Sequence, residues 1–379
     1  MELPVLQNIS SDPPLQHATY RVGVRRRTRQ VLVGNVKIGG GAPISVQTMT
    51  KTKTSDVRGT LAQIEKAAEI GCDIVRVTVN DKEASEAIRE IVRQSSLPIV
   101  ADIHFNHVFA LKAIEANVAK VRLNPGNIGS RERIHEVLGA AKEKSIPIRI
   151  GVNSGSLEED ILNKHGYPTA EALYESAMRH VGICEEFGFR DVIVSVKSTD
   201  VRLMIEAYRL VGERTDIPLH LGVTEAGTSK IGTIKSSVGI GTLLAEGIGD
   251  TIRVSLTDEP WKEVEVGKEI LRSLSLASRN VELIACPTCG RLEVDLFGIM
   301  AELEKRLEGV KKPVKIAVLG CVVNGPGEAS EADIGIAAGK GVGILYRKGE
   351  VIRRVKESEI VDVIVEEVKN FQPDDGTGH

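Results

Sequence analysis

The chain has 379 residues, more than one compact core normally holds, so two or three domains are expected. Hydrophobic residues make up 42% and charged residues 27%, which excludes a disordered or fibrous chain. A formal net charge of −3, with aromatics at 3%, gives no attraction to an anionic membrane and no stacking platform, so no nucleic-acid or membrane partner is expected.

Residues 1–24 read as an N-terminal extension. Pro4, Pro13 and Pro14 stand there without a basic segment leading into an apolar one, so no secretory signal is expected. No stretch approaches the roughly 18 apolar residues of a membrane helix. The cysteines are therefore expected to be reduced, in the cytoplasm. Alternation over Arg21–Ile38, around Gly34-Asn35, predicts a β-hairpin. The basic run Arg25-Arg26-Arg27, with Arg29, reads as a solvated face of that hairpin rather than a nucleic-acid patch, because no aromatic residue interleaves.

From Ile44 onward a strand–helix beat begins. Short β-branched runs recur at Ile44–Gln47, Asp73–Val79, Pro98–Ile103, Lys120–Leu123, Pro147–Val152, Asp191–Val196, Pro218–Val223 and Thr251–Leu256. Helical patterns separate them. Ile134, Val137, Leu138 and Ala141 mark one face, and Leu61, Ile64 and Ala68 another. The beat predicts an α/β fold, a (β/α)8 TIM barrel over 25–274 ending in a helix at Trp261–Leu274. A doubly wound open sheet is disfavoured because no glycine fingerprint opens the first unit.

Ser275–Asn280 reads as a linker into a smaller α/β domain over 275–371. Its predicted strands are Val281–Ala285, Lys315–Leu319, Ile334–Ala337 and Val342–Tyr346. Leu292, Leu296, Ile299, Leu303 and Leu307 form a helix stripe, and Ile360–Val368 a closing helix. Residues 372–379 read as a polar tail.

Catalytic groups in a barrel gather where strands end. Here those residues are Thr48, Thr50, Asn80, Asp102, His104, Arg122, Asn124, Asn153, Lys197, Glu225, Arg253 and Ser255. Arg122 and Arg253 sit inside otherwise apolar strands, so they are anion-binding candidates, with an ion pair to Asp102 or Glu225 as the alternative. The loop Thr224–Ser237, with Gly227, Gly232, Lys230 and Lys235, adds to the expectation of a phosphate group. His104 and His107 read as substrate contacts or packed imidazoles rather than metal ligands.

The five cysteines divide. Cys72 and Cys184 read as buried hydrophobes, whereas Cys286, Cys289 and Cys321 all follow strands of the second domain. The Cys286-Pro287-Thr288-Cys289 turn brings two sulfurs within reach of one metal or cluster. A redox pair would leave Cys321 unexplained, and no histidine short of His379 lies in this domain to complete a zinc site. Three thiols with a weak fourth ligand favour a [4Fe–4S] cluster over zinc, with Glu328, on the loop after Cys321, as candidate fourth ligand.

The segments ADIHFN, RLNPGNIG, RIGVNSGSL, VSVKSTD, PLHLGVTEAG, EGIGDTIRVSL, ACPTCGR and GCVVNGPGEA together resemble the bacterial 4-hydroxy-3-methylbut-2-enyl diphosphate synthase family of the non-mevalonate isoprenoid pathway, from about Arg25 to Tyr346. The resemblance implies reductive ring opening of 2-C-methyl-D-erythritol 2,4-cyclodiphosphate, flavodoxin or ferredoxin as electron donor, and a head-to-tail homodimer of barrel and cluster domains. It implies Cys286, Cys289, Cys321 and Glu328 as ligands of a [4Fe–4S] cluster, and Glu225 as the acid at the barrel mouth. It also implies Arg122, Asn124, Lys197, Arg253 and Ser255 as anion-binding positions; Asn153 and His104 are substrate candidates from their strand ends. Two positions depart from the family pattern. Thr48 replaces a common Ser, and Val108 stands where many members carry Arg, so another cation, Lys53, is the expected substitute. A zinc-bearing barrel enzyme and a non-catalytic iron–sulfur sensor are the competing readings.

Overall fold

The computed structural model describes residues 24–277, 281–310, 312–321 and 325–372. The extension and the tail expected at 1–24 and 372–379 therefore lie outside the described residues, except for Val24 and Gln372. The chain divides into two compact units, 1–277 and 278–379.

In the first unit, β1 (Val31–Val33) and β2 (Val36–Ile38) form an antiparallel hairpin that turns at Gly34-Asn35. Gly34 has φ +59°, a left-handed conformation that a side chain disfavours. Eight parallel strands follow: β3 (Ser45–Met49), β4 (Ile74–Thr78), β5 (Ile99–Asp102), β6 (Lys120–Arg122), β7 (Ile148–Asn153), β8 (Val192–Lys197), β9 (His220–Leu221) and β10 (Thr251–Ile252). Each of β3 to β8 pairs with the next, β10 bridges β3 and β9, and a Val194–Leu219 bridge joins β8 to the segment entering β9, closing the ring. This is the TIM barrel that the strand–helix beat implies.

Nine α-helices follow these strands: α1 (Val57–Glu69), α2 (Lys82–Gln94), α3 (His107–Glu115), α4 (Arg131–Glu143), α5 (Glu159–His165), α6 (Ala170–Glu186), α7 (Val201–Arg214), α8 (Ser229–Ala245) and α9 (Pro260–Ser273). Polar residues just before their first turns open many of them. Asp56, Asp81, Asn106, Thr169 and Asp200 each accept a backbone N–H from the first turn of α1, α2, α3, α6 and α7. On α4 the buried side chains are Ile134, Val137, Leu138 and Ala141, as the spacing predicts. On α1 they are Thr60, Ile64 and Ala67, so the face is turned by one residue from the sequence reading.

The hairpin packs Val31, Val33 and Ile38 against Ile74, Val100 and Ile193, which point into the barrel near the strand starts. An apolar plug thus fills the end opposite the mouth. Of the arginines before it, Arg27 is exposed, as a solvated face requires, but Arg25 and Arg26 are turned into the structure. Arg26 donates to the carbonyls of Gly212 at 3.1 Å, Thr215 at 2.7 Å and Ile217. Arg25 pairs with Asp250 at 3.3 Å. The last turn of α7 leaves carbonyls without helical donors, and a guanidinium satisfies several at once.

In the second unit the sheet order is β11 (Glu282–Ala285), β12 (Lys315–Leu319), β13 (Ile334–Gly339), β14 (Val342–Arg347) and β15 (Glu350–Lys356), with the last two strands antiparallel to their neighbours. Helices α10 (Leu296–Leu307) and α12 (Ile360–Asn370) cover one face, and the short α11 (Gly325–Ser330) covers the other. Strand β15 escaped the sequence reading because six of its seven residues are exposed and its apolar pair Val351-Ile352 is adjacent rather than alternating. Leu292 precedes α10, whose first turn is capped by Asp295 at 3.0 Å from the Gly298 amide.

Candidate functional site

Inward positions of a barrel strand alternate, and in this chain the upper ones are polar. Strand β7 turns Ile148, Ile150 and Val152 outward to the helices and points Arg149, Gly151 and Asn153 inward. A pocket of about 120 Å³ opens at the strand ends, lined by Arg76, Arg122, Arg149, Lys197 and Arg253, together with Asp102, His104, Asn153 and Ser255. Gly151, Ser195, Val223 and Thr224 complete it.

Asp102 anchors the cations. Its carboxylate lies 3.5 Å from Arg76 Nε and 3.3 Å from Arg122 Nη1. Burial by itself would raise the Asp102 carboxyl, but Arg76, then Arg122 and Arg149, outweigh it and hold it below its usual value. Burial also lowers Arg76, to about 10, so it stays charged at neutral pH. Burial and the surrounding guanidiniums hold the Lys197 ammonium well below its usual value. His104 is lowered as well, first by partial burial, with Asp102 opposing and Arg122 and Arg76 adding to it.

Two glycines make room for these side chains. A Cβ on Gly151 would lie 2.9 Å from Arg122 Nε, and one on Gly222 would lie 2.8 Å from Lys197 Nζ. Arg122 also donates to the Gly151 carbonyl at 3.1 Å. The glycines in RIGVN and HLGVT thus admit cations into a space that Val and Ile usually fill.

The expected residues sort as follows. Arg122, Asn153, Lys197, Arg253, Ser255 and His104 line the pocket. Asn124 does not: its amide bonds both ways to Gly151, donating to the carbonyl at 3.1 Å and accepting the N–H at 2.9 Å. Glu225 stands beside the lining Thr224, exposed, at φ +49°. Such a backbone is uncommon for a residue with a side chain and is often kept at working sites. Lys53, Val108 and His107 do not line the pocket. Arg122 does pair with Asp102, but Arg253 pairs with Glu263, at 3.0 Å, rather than with Glu225. Thr48 faces the same Glu263, donating to it at 2.8 Å.

The segment after β9 is mostly helix, not loop. Helix α8 begins at Ser229, so Lys230, Gly232 and Lys235 belong to it and line no part of the pocket. A Cβ on Gly232 would come within 2.6 Å of Leu256, so this glycine serves helix packing rather than a phosphate cradle.

The sequence reading missed Arg76, Arg149, Ser195 and Glu263. Arg76 in DIVRVTV and Arg149 in PIRIGV carry the same signal as Arg122, a lone cation at an inward position of an apolar strand.

In the second unit a pocket of about 240 Å³ is lined by Cys286, Cys289, Cys321 and Glu328, with Arg291 beside them. Cys286 and Cys289 follow β11, with Thr288 between them at φ +59°, and Cys321 follows β12. Glu328 lies on helix α11 rather than on a loop, because the Gly325-Pro326-Gly327 segment starts that helix. The Arg291 side chain donates to Cys289 and lowers its thiol below the usual value. Cys72 and Cys184 are buried in the first unit, and burial pushes both thiols up to about 12.

These shifts set a reactivity order. At pH 8 a thiol near 12 is about 0.01% thiolate. Alkylation of metal-free folded protein is therefore expected to modify Cys289 first and to spare Cys72 and Cys184 until the chain unfolds. Peptide mass spectrometry against time reads the order, and early labelling of Cys72 would contradict the burial argument.

Among the described residues, no three Cys, His, Asp or Glu side chains are drawn close enough to hold a single metal ion. A four-iron cluster takes one ligand per iron. The donor set of three thiols and one carboxylate around one pocket fits such a cluster.

Comparison with known proteins gives a consistent assignment for both units. A family model described as the GcpE TIM-barrel domain matches residues 28–268, and one described as the GcpE protein C-terminal domain matches residues 282–370. The 4-hydroxy-3-methylbut-2-en-1-yl diphosphate synthase (flavodoxin) of Clostridium perfringens is 56% identical over 92% of this chain and 99% of its own. The synthase of the same name from Aquifex aeolicus is 55% identical over 93% of this chain and 99% of its own. That of Geobacter sulfurreducens is 54% identical over 92% and 99%. No helix among the described residues is long and apolar enough to cross a membrane.

Proposed function

The chain belongs to the GcpE family, and from that premise we propose that it forms 4-hydroxy-3-methylbut-2-en-1-yl diphosphate, the product for which its relatives are named. The substrate in this reading is 2-C-methyl-D-erythritol 2,4-cyclodiphosphate, opened with two electrons and loss of water in isoprenoid biosynthesis. The chain is thus an oxidoreductase, and flavodoxin, which the names of its relatives carry, is its electron donor.

The charge of the barrel mouth carries this reading. Arg76, Arg122, Arg149, Lys197 and Arg253 converge on one pocket, while Asp102 is the carboxylate lining it. Guanidiniums suit the planar, multiple acceptors of a diphosphate. Asn153, Ser255 and the lowered, neutral His104 supply hydrogen bonds that orient the sugar-derived part. Asn124 works through Gly151, fixing the backbone beside Arg122. Glu225, next to the lining Thr224 and at an unusual φ that supports a working role, is the proposed acid for the departing oxygen. The mouth cations also hold the leaving diphosphate end while charge builds on it.

Cys286, Cys289, Cys321 and Glu328 would hold a [4Fe–4S] cluster, and the pocket they share supports this. When bound, the cluster supplies single electrons to the C–O cleavage. Glu328 is the one oxygen donor, a weaker anchor than thiolate, and so the ligand most readily displaced. Such thiols need a reducing compartment, and the cytoplasm is the proposed location. The division at 25–274 and 275–371 separates substrate site from redox site, and a head-to-tail homodimer is the proposed assembly that unites them.

Anaerobic purification with iron and sulfide analysis, followed by turnover with reduced flavodoxin, tests the whole. About four irons and four sulfides per chain, with product formed, are expected. A colourless protein with one zinc per chain would overturn the cluster. Glu225→Gln is expected to cut turnover by at least about a hundred-fold while keeping the iron content. Unimpaired turnover would remove Glu225 from the acid role.

A further inference from the structure

Barrels of this kind usually fill their interior with Val, Ile and Leu. Here Gln47, Lys120 and His220 point into the barrel and are 0% exposed, and Arg149 is 2% exposed. Lys120 donates to Gln47 Oε1 at 3.4 Å. Gln47 Nε2, both ring nitrogens of His220, and Nε and Nη1 of Arg149 have no hydrogen-bond partner among the described residues. Lys120 lies two residues before Arg122 on β6, which places it about 6.6 Å below the mouth cations.

The groups around this layer are mostly basic. Arg149 of β7 and Arg76 of β4 face Lys120. His220 of β9 faces Arg149, Lys197, Lys120 and Arg76. Asp102 of β5 is shared by Arg76 and Arg122. Glu263 of α9 is taken by Arg253 of β10, and Tyr208 of α7 donates its hydroxyl to the His220 carbonyl at 2.5 Å. Arg76, Lys120, Arg122, Arg149 and Lys197 thus stand against Asp102, since the other buried carboxylates among the described residues, Glu263 and Asp250, are taken by Arg253 and Arg25.

Like charges in a dry interior repel strongly, and the crowding is relieved by deprotonating a lysine, since guanidinium keeps its proton. Burial first, then Arg149 and Arg76, hold both Lys120 and Lys197 well below their usual value; Lys197 lines the pocket and meets the ligand directly, whereas Lys120 does not line it.

We propose that Lys120 is a neutral amine while the mouth is empty and takes up a proton when a diphosphate settles above it, so that substrate binding and protonation are linked. The proton comes from solvent and adds to the Nζ lone pair, and no other bond changes. The negative charge of the ligand offsets the repulsion that had expelled that proton. Lys120 is a positioning residue here, acting through Arg122 and Arg149 and touching no substrate. The proposal rests on the reading of the mouth as a diphosphate site.

Calorimetry of the full chain with 2-C-methyl-D-erythritol 2,4-cyclodiphosphate, without reductant, tests it. This ligand has only diester-like phosphates and does not titrate near pH 7.5, so protons counted across buffers of different ionisation enthalpy come from the protein. The parent is expected to take up about half to one proton per ligand bound, with affinity falling as pH rises from 7 to 9. Lys120→Arg, charged throughout, is expected to bind the ligand with at least about two-fold less proton uptake and a flatter pH dependence. Lys120→Met is expected to lower the uptake likewise, and serves if the arginine does not fit. Zero uptake in the parent, or unchanged uptake in a folded variant, would overturn the proposal while leaving the site reading intact. Failure of the ligand to bind the parent would overturn both.

Discussion

Protein carrying Cys321→Ser, prepared without oxygen, is expected to lose the iron–sulfur absorption and to lose turnover by roughly a thousand-fold or more, the scale on which removal of an obligatory catalytic group acts. Cys321 follows β12 and faces the Cys286–Cys289 turn across one pocket, so no neighbouring sulfur can replace it. Glu328→Ala is expected to behave differently. Three thiolates remain, so the protein should stay coloured while turnover falls. The contrast separates an anchoring ligand from an exchangeable one. A coloured and active Cys321→Ser protein would show that the cluster is held elsewhere. The substitution should barely change the barrel, because that unit has its own hydrophobic core.

Asp102→Asn is expected to cost about 3–5 kcal/mol of stability, the range for breaking one side of a buried ion pair. Asp102 is 4% exposed and lies between two guanidiniums, so the amide leaves Arg76 and Arg122 charged without a counter-ion. The pH dependence has a definite sign. Because the folded carboxyl is held below its usual value, its contribution is complete above the unfolded value of about 3.9 and fades as pH falls through the folded one. The parent should therefore lose stability below about pH 4 more steeply than the variant. Urea titrations at pH 7 and pH 3 measure both effects. An unchanged midpoint at pH 7 would mean that the cations are neutralised by another route. The diphosphate ligand should recover part of the loss, since binding to the folded state adds stability by mass action.

Much of the site was legible for simple reasons. A cation inside an apolar strand stands out, and Arg122 and Arg253 were found that way. Arg76 and Arg149 carry the same mark but lie in the middle of β4 and near the start of β7, away from the strand ends where catalytic groups are expected. Their place in the pocket follows from the inward parity they share with Gly151, Asn153 and Asp102 once the strands close on one another. Glu263 was hidden for another reason: it lies on a helix, and its partner Arg253 is ten residues away, on β10's continuation. Lys230 and Lys235 misled because a run of Gly, Ser and Thr has the composition of a loop, while here its glycines let α8 approach the barrel closely.

By itself the sequence determined the strand–helix alternation, the barrel, and the second α/β unit with its three informative cysteines. Those features are local: they depend on periodicity of two or 3.6 residues and on motifs within a few positions. Only the tertiary structure decided which inward residues share one pocket, that Arg26 satisfies backbone carbonyls, and that Lys120 and His220 lie dry beneath the mouth. Burial and charge crowding are sums over residues distant in sequence. No window along the chain contains them, because they exist only once eight strands have closed on one another.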